Sequence, residues 1–133
     1  MLKKIKYALI AVFLFAGVLA GAQEKSPVFN MITVNGVITA PTAKYIAAAI
    51  EEAQKENAQG LIILLDTPGG MDTAMRDIAK SILNAPLPVI VYVSPSGARA
   101  ASAGVIITEA AHIAAMAPGT NIGAAHPVTI GLG

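Results

Sequence analysis

Two short motifs hold most of the residue types that could do chemistry. Ser102 stands in Ala100-Ala101-Ser102-Ala103-Gly104, where small neighbours leave room for a reactant to reach its hydroxyl. Such a hydroxyl is a candidate nucleophile toward a carbonyl, provided a nearby base takes its proton. The same stretch suits a helix cap or a packed small residue, so both readings of Ser102 stay open. The second motif is Asp66-Thr67-Pro68-Gly69-Gly70. Paired glycines let the backbone pass through positive φ and lie bare against a ligand. Just before a helix, their N–H groups have no intrahelical acceptor and meet the positive end of the dipole. They could hold a developing oxyanion, or simply make a Pro-Gly turn.

The base is harder to assign. Lys44, Lys55 and Lys80 fall on predicted exposed helix faces. His126 follows Ser102 and would need no large pKa shift to act near neutral pH. It is open as an alternative base, as a residue lining a substrate groove, or as structurally neutral. Asp66 is the only acid in the two motifs and serves equally well as a turn cap. His112 begins a predicted strand and reads as structural, Arg99 as a solvated charge at the rim, and Met71 and Met75 as core. No Asp, His or Glu cluster has metal-ligand spacing, no cofactor is implied, and the lack of Cys excludes disulfides and thiolate metal sites.

These residues need elements to hold them. Residues 28–34 read as a strand followed by the Asn35-Gly36 turn. Pro41 opens a helix to about residue 57, with Ile46, Ile50 and Ala53 on one face. Residues 61–65 (LIILL) are a run too short for a helix, read as a strand buried on both faces. A second helix begins at Met71 and stops before Pro86. Residues 88–93 form another strand, 98–108 a third helix, and 112–117 a further strand. This alternation predicts an α/β layered fold. In such sheets ligands bind at the carboxyl ends of the strands, which is where both motifs fall.

The chain has 133 residues, 55% apolar and 13% charged. Lys3, Lys4 and Lys6 precede an apolar run over residues 8–19, and Ala20-Gly21-Ala22 offers small residues for cleavage before Gln23. That is the layout of a signal peptide over 1–22. The run falls short of the roughly 20 residues that span a bilayer, and an uncleaved anchor is the alternative. Residues 23–133 then form one domain. All eight acidic residues but only six of the nine basic ones follow Ala22, so no basic patch remains for nucleic acid. The tail Thr129-Ile130-Gly131-Leu132-Gly133 ends no visible element, which suggests an incomplete, N-terminal part of a domain.

Taken together, DTPGG, SPSGARAASAG and Ala117-Pro118-Gly119-Thr120-Asn121-Ile122-Gly123-Ala124 resemble NfeD-type membrane-associated serine proteases. These belong to the ClpP/crotonase superfamily and its Ser-Lys branch, with signal peptide peptidase A. The resemblance spans residues 28–130. It implies repeated β-β-α layers with a mostly parallel sheet, Ser102 as nucleophile, and an oxyanion hole from Gly70 and Ala103 with Gly69 beside them. It implies a lysine base beyond Gly133, so that this chain alone is expected to be inactive, whereas the position of His126 is closer to ClpP, which uses a Ser-His-Asp triad. It further implies a polypeptide substrate, namely apolar segments of stomatin-like membrane proteins, and self-association. The expected place is the extracytoplasmic face of the inner membrane, held by later transmembrane helices or an uncleaved signal. The alternatives are a catalytically inactive fragment or interaction domain, and a crotonase-type acyl-CoA enzyme, against which the export signal argues.

Overall fold

The computed structural model describes residues 26–125. The leader, its cleavage site, His126 and the tail after it lie outside the described residues. The elements in chain order are β1 (Phe29–Asn35), α1 (Ala40–Lys55), β2 (Gly60–Asp66), α2 (Asp72–Leu83), β3 (Val89–Val93), β4 (Arg99–Ala101), α3 (Ala103–Glu109), β5 (Ile113–Met116) and β6 (Asn121–Gly123). Four strands form a parallel sheet in the order β1-β2-β3-β5, and β4 pairs with β6 in a second, two-stranded parallel sheet. The α/β class with a mostly parallel sheet is the one that the alternation of elements predicts.

Local chemistry explains the boundaries. Thr39 opens α1: its N–H donates to Thr42 Oγ1 (3.3 Å) and the two hydroxyls are hydrogen-bonded (3.0 Å). Pro41 sits in the first turn, where its missing N–H costs nothing. Ala43, Ile46, Ala49, Ile50 and Ala53 then repeat at helical spacing and are buried against the sheet. On α2 the buried stripe is Ala74, Ile78 and Ile82. Both stripes cover the sheet face made by Val34, Leu61, Ile63, Leu65, Val89, Val91 and Val93, all buried.

Three expectations are corrected. The run over β2 is not buried on both faces: Leu61, Ile63 and Leu65 are fully buried, whereas Ile62 and Leu64 are only partly covered by the described residues. The stretch 98–108 is not one helix. Thr67 N–H donates to the Arg99 carbonyl (2.7 Å), Ala101 N–H donates to the Thr67 carbonyl (3.0 Å), and β6 pairs on the other side. Pairing on both edges claims the backbone groups that a helix would use, so the helix begins only at Ala103. Met71 lies outside the core, 52% exposed at the cap of α2, while Met75 packs against the core's edge.

Candidate active site

β2 and β3 run side by side with Leu65 opposite Val93, so the loops leaving them emerge on one side of the sheet. The loop after β3 returns as β4, whose Ala100 bridges Thr67 in the loop after β2. A second clasp comes from Asp66, whose Oδ1 accepts the backbone N–H of Arg99 (3.0 Å). Asp66 thus ties the two motif loops to each other. The Arg99 side chain is exposed, as a rim charge would be.

Ser102 occupies the sharp corner between β4 and α3, with φ 52° and ψ −111°. Backbone outliers of this kind cost about 1–3 kcal/mol and persist only where their surroundings fix them. Here Ser102 N–H donates to the Gly123 carbonyl (2.9 Å) and its own carbonyl accepts from Val105 (3.0 Å). The hydroxyl does not cap α3, which removes the capping reading. Ser102 is partly exposed, and the residues after it, Ala103 and Gly104, are buried.

Opposite it lies the glycine pair. Gly69 has φ +113°, a left-handed conformation open to glycine and strained for other residues. A Cβ built there would stand 2.8 Å from Ser102 Cβ and 3.3 Å from Ser102 Oγ. The serine side chain therefore packs directly on the Gly69 backbone. Gly70 is pressed from the other side, where an added Cβ would collide with the backbone carbonyl and nitrogen of Ile38. Ile38 N–H donates to the Gly69 carbonyl and Met71 N–H to the Ile38 carbonyl, both at 2.9 Å.

The N–H groups divide by use. Gly69 N–H donates to Thr67 Oγ1 (3.0 Å) and is not free for a ligand. The N–H groups of Gly70 and Ala103 have no acceptor among the described residues. Given a base to take its proton, a hydroxyl beside two unspent amides can attack a carbonyl and hold the resulting oxyanion. Thr67, fully buried between the loops, is a residue that sequence reasoning misses; a threonine in a Pro-Gly turn gives no signal of its own.

Other titratable candidates stand elsewhere. Lys44, Lys55 and Lys80 are exposed on α1 and α2. His112 is structural, as expected: its Nδ1 accepts Val89 N–H (3.1 Å) and its backbone N–H donates to the Val89 carbonyl (3.0 Å), joining β5 to β3. On α2, Arg76 is raised above its ordinary range by its hydrogen bond to Asp72 and by that carboxylate's charge, and the pair is solvated. Among the described residues no group of three or more His, Cys, Asp or Glu is placed to hold a metal ion, and no helix is long and apolar enough to cross a membrane.

The chain is 42% identical over 120 residues to the membrane-bound protease PH1510 of Pyrococcus horikoshii, covering 90% of this chain and 26% of that protein. It superposes on a serine-to-alanine mutant of the 1510-N membrane-bound stomatin-specific protease with a TM-score of 0.76 and 40% identity, covering 80% of this chain and 54% of that one. A lysine-to-alanine mutant of the 1510-N protease, in complex with a substrate peptide, gives 0.74 and 44%, covering 76% and 46%. ClpP1 of Listeria monocytogenes, at 22% identity over 70% of this chain and 55% of that one, has a TM-score of 0.63, and so shares the fold. The chain spans about a quarter of the curated protease's length and about half of the solved chains. Residues 28–131 match the family described as NfeD1b, N-terminal domain, and with a ClpP-like parallel sheet and relatives of this similarity, the chain belongs to that family.

Proposed function

We propose that the chain carries the nucleophile and oxyanion hole of a serine endopeptidase. The observation that supports this most is the Ser102 side chain packed on the Gly69 backbone at a strained corner, beside unspent Gly70 and Ala103 amides. In this reading Ser102 Oγ attacks a peptide carbonyl, the carbonyl oxygen takes both N–H groups as it gains charge, and the amine leaves with the proton that the base received. The base is a lysine from sequence following Gly133 in a longer protein, as in the Ser-Lys proteases that the motifs resemble. It would work at neutral pH if burial lowers its pKa. A lysine-to-alanine mutant of the relative was solved with its substrate peptide, which accords with that pairing.

The substrate reading is supported by the same relative, a stomatin-specific protease. We assign this chain an apolar segment of a stomatin-like membrane protein, cleaved at the extracytoplasmic face after export. The test is covalent labelling by a fluorophosphonate probe. The longer protein that supplies the lysine should be labelled at Ser102, and its Ser102→Ala variant should not, because the hydroxyl reacts only with a base beside it. A folded longer protein, lysine included, that stays unlabelled would remove the nucleophile reading. It would leave the second one, a non-catalytic binding domain, which is favoured by one observation: Ser102 has no lysine or histidine hydrogen-bonded to it among the described residues.

A further inference from the structure

We propose that Thr67 is a positioning residue whose hydroxyl locks the Gly69–Gly70 peptide so that the Gly70 N–H keeps facing the oxyanion. The inference rests on the serine-hydrolase reading above and adds to it the part that holds the donor in place.

Thr67 is fully buried. Its backbone belongs to the nucleophile side, since its N–H donates to the Arg99 carbonyl and its carbonyl accepts from Ala101 N–H on β4. Its side chain belongs to the oxyanion side. Oγ1 accepts Gly69 N–H (3.0 Å) and lies 3.2 Å from the Gly69 carbonyl, to which it donates. A hydroxyl has one proton and two lone pairs, so it can make both bonds at once.

The Gly69 carbonyl is thereby held by two donors, Thr67 Oγ1 and Ile38 N–H (2.9 Å). A trans peptide is planar, so its C=O and the following N–H point in opposite directions. Fixing the Gly69 carbonyl toward Ile38 and Thr67 therefore fixes the Gly70 N–H the other way. This matters because a peptide between two glycines meets no side-chain resistance to turning over. Turned over, it would aim a carbonyl oxygen where an anion must sit. The threonine methyl does something different. It stands 2.7 Å from where a Cβ on Gly104 would lie, filling the gap beside α3. Packing accounts for the methyl group, and the donor geometry accounts for the hydroxyl.

Two variants separate these roles. Thr67→Val keeps the shape and loses the hydroxyl, whereas Thr67→Ser keeps the hydroxyl and loses the methyl. Each is measured for its thermal midpoint, by NMR for the exchange and residual dipolar couplings of the Gly69 and Gly70 amides, and, in the longer protein that carries the lysine, for the rate of fluorophosphonate labelling at Ser102. Thr67→Val should slow labelling by about 10- to 100-fold, approaching the loss of one oxyanion donor. It should deprotect the Gly69 amide and show more than one orientation of the Gly70 N–H. Thr67→Ser should label within about 3-fold of wild type even if it melts earlier, because the donor geometry survives. A Thr67→Val protein with one unchanged Gly70 N–H orientation overturns the proposal, as does a serine variant that loses labelling along with valine. If the longer wild-type protein, lysine included, is never labelled but the couplings change as described, the protease reading fails and the positioning role stands.

Discussion

The Ser102 hydroxyl can lie against the chain only because Gly69 presents no side chain, so the two positions are one feature seen from two loops. Gly69→Ala adds strain at a positive φ and drives a Cβ onto Ser102 Cβ at 2.8 Å. It should lower stability by about 1–3 kcal/mol and cut labelling of Ser102 in the molecules that do fold. Urea titration beside labelling rate checks both parts, and an alanine variant with wild-type labelling would show that this contact is dispensable. Residue types alone leave Ser102 open between nucleophile, cap and packed residue, and the glycine pair open between oxyanion donors and a plain turn. It is the resemblance of the motifs that implies Ser102 as nucleophile with Gly70 and Ala103 as donors and Gly69 beside them. Neither can apportion the donors. That Gly69 spends its N–H on Thr67 depends on a turn conformation, and a threonine hydroxyl has many possible partners until the backbone around it is fixed.

The elements show where local preference loses to pairing. Alanine favours helix, and on that ground Ala98, Ala100 and Ala101 are expected in one, yet they lie before the helix, two of them in β4. What decides is long-range: Thr67 and β6 flank β4, and Asp66 Oδ1 takes Arg99 N–H (3.0 Å). None of these partners is near in sequence, so no local window could reveal them. The other helices and the strands of the main sheet are legible to within a few residues because their apolar spacing and their Pro and Gly punctuation agree. The Asp66 clasp gives an element-scale prediction. Asp66→Ala removes the acceptor for Arg99 N–H and should cost about 1 kcal/mol, with a drop in Ser102 labelling as β4 loosens. Asp66→Asn keeps an acceptor oxygen and should recover most of both. Equal losses in the two variants would mean that the carboxylate's charge, rather than its hydrogen bond, holds the loops together.

At the scale of the whole molecule, the four-stranded sheet is dry on one face and open on the other. The register sets Met31, Ile62, Ile90 and Ile113 in one row across β1, β2, β3 and β5. At the ends of that row Met31 is 64% and Ile113 55% exposed. A continuous apolar run such as LIILL says that a strand has two apolar faces; it cannot say whether the described residues, 26–125, supply a layer for each. Here they supply helices for one, and the match to the solved relatives covers about half of each of those chains. Neighbouring isoleucines on β2 measure the difference, since Ile63 faces the helices at 0% exposure and Ile62 faces the other way, partly exposed. Ile63→Ala opens a cavity in a packed core and should cost about 2–5 kcal/mol. Ile62→Ala removes the same atoms from a surface already in contact with water and should cost less than half as much, by urea denaturation of this chain. Because the strand, the residue type and the atoms removed are identical, the comparison isolates coverage. Equal losses would mean that something closes the second face in solution, whether residues outside 26–125 or another copy, and dilution of the protein would tell those two apart.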